Sequence, residues 1–541
     1  MEVISENSPT LNVNKIRRDL LFLIFFTLIL TVPFINKPFH IDGPAFIAPY
    51  KTIFKTPFNP YGFSESFQGQ QVDFFKNMPH PPFVSYFISL IIYFSGGVSE
   101  IIIHTFFFIF PLIAVISMYF ISKIVTENPL IPTILLLITP VFLVESSQVT
   151  TDMPFLALLL FSIASYIYGI KYKNKYLLAL SIISSNFLII TRYLGLLIIP
   201  LLFSYSLFEK ISIQKTIKML SFSIVLLLVW SILNLMTHGE LHIFTIIKNE
   251  SVLPSRMGFN YDGWINNFIG LISHLSGSTM FLFLIPFLCS ATKKHIYMLI
   301  ASLLFTISIS VFYTSSYAIQ YKLLFIIFFG TGIYLFLLSI IKARKQTFLF
   351  IWFSIVVLFN IFILPFSCAR YNLPLIPPLI LLLFSQIEGM KDSKSLHRFR
   401  IIIPVITLIS IIISVADYQL ASSYKNISNK IAEYIPESKK WHISSWELDY
   451  YLTEKNILPI DYSMIKENDL IIFSKNTTFY PLKPDILNKC ILLIEYPQTN
   501  KLPVRILDKS SHAGFYSTGW GFLPISFSNN EIERITIMQV R

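Results

Sequence analysis

Long apolar runs alternate with short polar segments along most of this chain. A helix that crosses a bilayer needs about 20 predominantly apolar residues, fewer when it is packed and anchored. Thirteen runs qualify, at 19–35, 101–122, 130–145, 153–170, 176–191, 193–208, 218–236, 275–292, 296–313, 323–341, 347–365, 372–387 and 401–416. The pattern predicts an all-α polytopic membrane protein with about 13 transmembrane helices.

A shorter apolar run at 83–96 follows Pro81-Pro82 and fits either a span or a helix lying flat at the interface. If it lies flat, the Lys and Arg clusters between the spans fall on one side of the membrane. If it spans, every later cluster moves outside, against the positive-inside rule. We therefore predict a flat helix, a cytoplasmic N-terminus and a place in the cell (inner or plasma) membrane.

This topology predicts the domain organisation. Residues 1–417 form a transmembrane domain, with two long external loops at 36–100 and 237–274. Residues 418–541 lie on the same external side, as a periplasmic or extracellular domain.

The C-terminal segment differs in character from the rest of the chain. Charged residues return there, and short β-rich runs at 470–473 and 491–494 alternate with Pro, Asn and Lys. Such runs are typical of strands in a soluble domain. We expect a small C-terminal α/β extracytoplasmic domain.

Composition supports a membrane protein and argues against a nucleic-acid-binding one. The chain is 54% hydrophobic and only 13% charged, whereas soluble domains carry about 25% charged residues. The net charge of +12 is spread over short clusters between apolar runs. That arrangement suits membrane lipids with anionic headgroups, so we expect membrane lipids and no nucleic acid as partners.

Ionisable residues collect at the predicted external ends of the spans. They are Asp42, His80, Glu145, Asp152, Arg192, Lys322 and Arg370. Such groups are costly near membrane depth unless they line a cavity or pair with one another, so they are candidate site residues. For Lys322 alone, a snorkelling side chain at the interface is an equal alternative.

The residue types point to chemistry on a lipid-linked phosphate. Arginine and lysine neutralise a phosphate, and arginine binds it with two hydrogen bonds. A carboxylate beside them serves as general base on a hydroxyl or amine, or holds a divalent cation. A phosphate whose charge is met is a good leaving group, so the set fits transfer from a lipid-phosphate donor better than hydrolysis.

Several short motifs appear in a fixed order against the spans. They are Asp42 after the first span, His80-Pro81-Pro82 before the flat helix, Asp152 in TDMPF, Thr191-Arg192-Tyr193-Leu194-Gly195, Arg370-Tyr371-Asn372-Leu373-Pro374 and the tail segment 514–527. In these motifs the chain resembles the GT-C superfamily of integral-membrane glycosyltransferases. Within that superfamily it is similar to family 39 and to the lipid A aminoarabinose transferases, often described as dolichyl-phosphate-mannose–protein mannosyltransferase-like.

The resemblance implies a GT-C fold and a sugar transferred with inversion at the external face. The donor would be a polyprenyl-phosphate sugar, and the acceptor a lipid, a protein or a glycan. By carry-over, Asp42 is the catalytic base and Asp152 supports it or the acceptor. His80, Arg192 and Arg370 meet the donor phosphate, and Lys322 joins them by residue type.

The chain departs from the family where Gly43 follows Asp42, since many members carry a second acid there. We therefore expect no metal-binding pair, although a divalent cation stays compatible with the chemistry.

Two other classes of protein fit the pattern less well. A flippase for lipid-linked sugars would move its substrate without chemistry, but transporters often show repeated halves and charges near the midplane. Here the charges lie at one face and no half is duplicated. An anchor for an external domain would need one span only. Within the tail, Phe515, Tyr516 and Trp520 either stack on sugar or pack the domain's core.

Overall fold

The computed structural model describes residues 13–248, 261–289, 293–342, 346–384, 393–434, 440–478, 482–499 and 501–541. Most of these residues are helical, and the strands lie mainly in the last hundred residues. The predicted class, a helical polytopic protein with a small C-terminal α/β domain, is confirmed.

The helices of the first half follow one another with short connections. They are α1 (Val13–Thr31), α2 (Gly43–Ile47), α3 (Tyr50–Lys55), α4 (Phe74–Asn77), α5 (Phe83–Ser95), α6 (Glu100–Phe107), α7 (Ile109–Val125), α8 (Leu130–Leu137), α9 (Pro140–Ser146), α10 (Asp152–Lys171), α11 (Lys175–Ile189), α12 (Ile198–Phe208), α13 (Ile213–Ser221), α14 (Val225–His238) and α15 (His242–Lys248). A hairpin of β1 (Ser64–Phe67) and β2 (Gln70–Asp73) precedes α4.

The helices of the second half include the longest ones. They are α16 (Tyr261–Thr279), α17 (Ile285–Cys289), α18 (Lys293–Tyr313), α19 (Ile319–Lys342), α20 (Thr347–Phe362), α21 (Ile376–Phe384), α22 (Ser393–Tyr434), α23 (Trp446–Glu454) and α24 (Pro484–Leu487).

Among the described residues, six helical stretches are long and apolar enough to cross a membrane. They are Glu100–Val125, Asp152–Lys171, Ile213–His238, Lys293–Tyr313, Ile319–Ile341 and Ile402–Glu433. Five shorter apolar helices accompany them: Phe83–Ser95, Lys175–Ile189, Tyr193–Phe208, Thr347–Phe362 and Arg370–Phe384. Large apolar side chains such as Leu304, Phe305 and Phe312 point outward, as lipid-facing residues do. The protein is a multi-pass membrane protein; the flat orientation of α5 stays a prediction.

The segment 261–289 differs from its prediction. Helix α16 occupies the end of the stretch predicted as the loop 237–274, and α17 is a separate short helix inside the predicted span 275–292. The reason lies in the small and polar residues of α16, which dilute its hydropathy. Gly270 lies against Thr518, and Gly277 lies against Pro524. Small residues allow such close packing between elements in a membrane protein, so a polar-looking helix can be buried.

Helix α22 also passes the boundary predicted at 417/418. It runs without interruption to Tyr434, and the first strand of the tail begins at Lys440. A helix longer than the hydrocarbon core carries its polar end out of the membrane.

The C-terminal domain is built on a mixed five-stranded sheet. Its strands are β3 (Lys440–His442), β4 (Leu458–Pro459), β5 (Leu470–Ser474), β6 (Cys490–Gln498) and β11 (Glu533–Val540), in the order β4-β3-β5-β11-β6. The two predicted strand runs are β5 and β6, and β11 pairs antiparallel with both. Between β6 and β11 in the sequence lie four short strands: β7 (Val504–Arg505), β8 (Leu507–Asp508), β9 (Ala513–Gly514) and β10 (Ser526–Phe527).

The tail segment 512–527 attaches this domain to the membrane helices. The Ala369 N–H donates to the carbonyl of Phe515 at 2.8 Å, and the Thr518 N–H donates to the carbonyl of Ser367 at 2.9 Å. Phe515 and Tyr516 are buried in the main hydrophobic core. The sequence left two alternatives for these aromatics, stacking on sugar or packing in a core. For Phe515 and Tyr516 the structure supports packing in the core.

Candidate active site

One cavity of about 1130 Å³ lies where the membrane helices meet α23 of the C-terminal domain. Its wall is mostly apolar and contains five of the six residues that were given a role from sequence: Asp42, His80, Asp152, Arg192 and Arg370. Predominantly apolar walls with a few convergent polar groups are typical of ligand sites.

Four charged residues of this cavity, two acids and two arginines, lie at helix ends. Asp42 directly precedes α2, and its backbone carbonyl accepts from Ala45 N–H at 3.0 Å. Asp152 is the first residue of α10, where the helix dipole favours a negative charge. Arg192 follows α11, and Arg370 begins the 3₁₀ turn that leads into α21. The polar groups therefore meet at one end of the helical bundle.

Three ion pairs connect these four charged side chains. Arg370 Nη1 lies 2.6 Å from Asp42 Oδ2 and 3.8 Å from Asp152 Oδ2. Arg192 Nη1 pairs with the other oxygen, Oδ1, of Asp152. Tyr371 lies beside both guanidinium groups. Its ring centroid is 5.2 Å from Cζ of Arg192 and 5.5 Å from Cζ of Arg370. Cation–π contacts at these distances help to hold the two arginines in place.

The two carboxylates differ in their access to the cavity. The Asp42 side chain is 32% exposed, whereas that of Asp152 is 2% exposed. Asp152 lies within reach of an arginine on each of its oxygens, while Asp42 pairs through Oδ2 only. Of these two acids, Asp42 is the one open to the cavity, and Asp152 lies between the two arginines.

His80 lies in the wall beside these groups as a neutral side chain. The pKa of His80 is well below its ordinary value because the ring is withdrawn from bulk water. The positive charges of Arg192 and Arg370 lower this pKa further. Its ring stacks on Phe46 at 5.8 Å, and its carbonyl accepts from the hydroxyl of Tyr61 at 2.9 Å. His80 can therefore offer a hydrogen bond to an anion rather than a full charge.

Lys322, the sixth predicted residue, is not among those that line the cavity. It lies near the start of α19, whose first residue is Ile319. A lysine there fits the interfacial anchor that was the alternative from sequence. Its assignment to the donor phosphate stays a prediction to which the cavity adds no support.

A second polar cluster lies behind Asp42, and sequence reasoning missed it. Its members are Lys37, His40, Gln148, Asp417, Glu447 and Tyr516, all buried. Asp417 of α22 is the centre of the cluster. It pairs with Lys37, lies 3.3 Å from His40 Nε2, and accepts from Gln148 at 3.2 Å and from the Tyr516 hydroxyl at 2.5 Å. Glu447 of α23 lies 3.1 Å from His40 Nδ1.

We expect His40 to give the protein a pH-dependent stability. Burial lowers the pKa of His40, but the carboxylates of Glu447 and Asp417 outweigh it and raise the pKa from 6.5 to about 9. A pKa raised by folding stabilises the folded state fully below the unfolded value, and that contribution disappears as the pH rises through the folded value. The midpoint of thermal unfolding in detergent should therefore fall between pH 6.5 and about 9. The same slope in the His40→Gln variant would contradict this origin.

Among the described residues, no group of three or more His, Cys, Asp or Glu side chains is placed to hold a metal ion.

The fold and the cavity define a multi-pass membrane protein that pairs acids and arginines at the ends of its helices. Residues 79–233 match the family model described as dolichyl-phosphate-mannose-protein mannosyltransferase. This match confirms the predicted resemblance to membrane glycosyltransferases, and the matched segment contains His80, Asp152 and Arg192. A search of curated protein sequences gives no match.

Three solved structures are similar to the chain at low identity. One is the oligosaccharyltransferase AglB from Archaeoglobus fulgidus in complex with an inhibitory peptide and a dolichol-phosphate, with 12% identity and a TM-score of 0.47 over 82% of this chain. The chain spans 64% of the length of AglB. Another is ArnT from Cupriavidus metallidurans bound to undecaprenyl phosphate, with 12% identity and a TM-score of 0.44 over 97% of each chain. The third is the mycobacterial arabinofuranosyltransferase AftD, with 11% identity and a TM-score of 0.42 over 97% of this chain and 40% of that one.

Proposed function

We propose that this protein transfers a sugar from a polyprenyl-phosphate donor to an acceptor at the external membrane face, with Asp42 as general base. The observation that carries the proposal is the difference between the two acids. Asp42 opens into the cavity beside Arg370, while Asp152 is buried between two arginines. The family match over residues 79–233 supports the same reaction class.

The reaction is a single displacement at the anomeric carbon. A hydroxyl or amine of the acceptor attacks this carbon, and Asp42 takes the proton that the nucleophile loses. The bond from the anomeric carbon to the phosphate oxygen breaks, and its electrons leave with polyprenyl phosphate. Attack from the face opposite the phosphate inverts the configuration. General base assistance of this kind typically contributes about 10²–10⁴ in rate.

The arginines are suited to the phosphate end of the donor. Arg192 and Arg370 are held on the same side of the cavity by Asp152 and Tyr371. A guanidinium can bind two phosphate oxygens and neutralise the charge that develops on the leaving group. Neutral His80 would add a hydrogen bond to the same group.

The apolar part of the wall is suited to the start of a polyprenyl chain. Ile243, Ile246, Phe359, Phe362 and Ile363 line this part of the cavity. We place the cavity on the external side because the basic clusters between the spans favour the opposite side as cytoplasmic.

The test is a transfer assay with the whole purified protein in liposomes. A panel of hexosyl and pentosyl polyprenyl phosphates, labelled in the sugar, is offered with hydroxyl and amine acceptors. Mass spectrometry should detect free polyprenyl phosphate and a glycosylated acceptor formed in equal amounts. If the labelled lipid only changes leaflet and stays chemically intact across the panel, the protein is a flippase and the proposal is wrong.

A further inference from the structure

Ile41, directly before Asp42, has a backbone conformation that its side chain disfavours. Its φ is +51°, in the left-handed region where β-branched residues are rare. The Gly43 N–H donates to the carbonyl of His40 at 3.0 Å, which closes a four-residue turn with Ile41 and Asp42 at its centre. A positive φ at the first central position of a turn is normally supplied by glycine. Something else must therefore stabilise this turn.

Glu447 contacts this turn from the C-terminal domain. Its Oε2 accepts the Ile41 N–H at 2.9 Å, and its Oε1 lies 3.1 Å from His40 Nδ1. The Glu447 side chain is fully buried, so no water competes for these contacts. A hydrogen bond from a backbone N–H to a buried carboxylate is among the stronger ones in proteins.

Helix α23 also holds Phe39, two residues before Ile41, through a tyrosine hydroxyl. The Phe39 N–H donates to the hydroxyl of Tyr451 at 2.7 Å, and this hydroxyl donates to Glu100 Oε1 at 2.5 Å. From the other side, His40 Nε2 lies 3.3 Å from Asp417 of α22. The segment that precedes Asp42 is thus held between α22 and α23.

We infer that Glu447 is a positioning residue, which holds the Ile41 turn so that the Asp42 carboxylate pairs with Arg370 in the cavity wall. The C-terminal domain then completes the active site although it supplies no reacting group. The link to catalysis rests on the proposed function of Asp42. The link between Glu447 and the Ile41 backbone does not, and it can be tested separately.

The kinetic test compares four variants in the liposome assay: E447A, E447Q, I41G and the double variant I41G/E447A. A misplaced general base lowers kcat more than it changes the KM of the donor, so E447A should lose about tenfold or more in kcat. E447Q retains an oxygen for the Ile41 N–H and should recover most of that loss. In the I41G background the loss caused by E447A should be several-fold smaller, because glycine adopts the turn unaided. Glu467→Ala, an exposed acid of the same domain, is the control.

Two kinetic outcomes would overturn the inference while the proposed function stands. One is wild-type kcat in E447A, and the other is an equal loss from E447A in the wild-type and I41G backgrounds. Equal losses would mean that Glu447 acts independently of the turn.

A thermal unfolding cycle on the same variants needs no donor, and it decides the inference even if the wild-type protein transfers no sugar. E447A should lower the unfolding midpoint more in the wild-type background than in the I41G background. Additive shifts would exclude the contact between Glu447 and the strained turn. If E447A does not fold, E447Q and the double variant carry both tests, and a double variant that also fails to fold would overturn the inference.

Discussion

Replacing Asp42 by asparagine is expected to lower kcat for sugar transfer by about 10²–10⁴-fold, the usual contribution of a general base. Asparagine has the same shape but cannot accept the proton of the nucleophile. The Asp42 side chain is 32% exposed to the cavity, and Arg370 keeps Asp152 as an ionic partner at 3.8 Å, so we expect the asparagine variant to fold. Initial rates at saturating donor and acceptor measure the effect, and the KM of the donor should change much less than kcat.

The matched control for this substitution is Asp485→Asn in the C-terminal domain. Asp485 is exposed in α24, and it does not line the cavity. This variant should transfer sugar at the wild-type rate. Comparable rates from Asp42→Asn and the wild type, at equal amounts of folded protein, would remove Asp42 from the role of base.

The cavity residues could be predicted because a topology argument places helix ends together. These residues are far apart in sequence, but all lie on the predicted external side of the membrane: Asp42, His80, Asp152, Arg192 and Arg370. Charges are expensive near the membrane unless they meet partners, so their convergence followed from physical cost. The same argument also included Lys322, because this cation lies at the start of a predicted span. Sequence does not show which way its side chain points.

The second polar cluster, centred on Asp417, could not be predicted in this way. Glu447 and Ile41 are separated by 406 residues. Neither segment contains a local sequence pattern that predicts their contact. Asp417 follows an apolar run, so it reads as the polar end of a span rather than as the centre of a buried cluster. The positive φ of Ile41 is equally invisible, because turn chemistry predicts glycine at such a position.

The predicted bounds of one loop and one span differ from the structure where packing overrides hydropathy. Ser273, His274, Ser276 and Ser278 are buried in α16, although such residues lower the hydropathy of the stretch. The Ser276 and Thr331 hydroxyls lie 2.6 Å apart, a hydrogen bond between α16 and α19. A scan for apolar runs cannot recognise a helix whose polar side chains find partners inside the bundle.

Replacing Arg370 by glutamine is expected to abolish detectable transfer and to destabilise the fold. Arg370 is 7% exposed, and it lies 2.6 Å from Asp42 and 3.8 Å from Asp152. Removing one partner from a buried ion pair costs about 3–5 kcal/mol because it leaves uncompensated charge. Here the loss also removes a guanidinium from the phosphate end of the cavity. Thermal unfolding and the transfer assay measure the two effects.

The variant Arg370→Lys separates charge from geometry at this position. Lysine restores the positive charge for Asp42 and Asp152, but it is a point charge and lacks the planar fork of arginine. We therefore expect most of the stability to return while transfer stays strongly reduced, with a raised KM for the donor. Arg534→Gln, at an exposed position of β11, controls for loss of an arginine elsewhere, since exposed ion pairs contribute about 0–1 kcal/mol. If Arg370→Lys transferred sugar at the wild-type rate, two-point binding of the phosphate by this arginine would be wrong, and its role would reduce to neutralising the two acids.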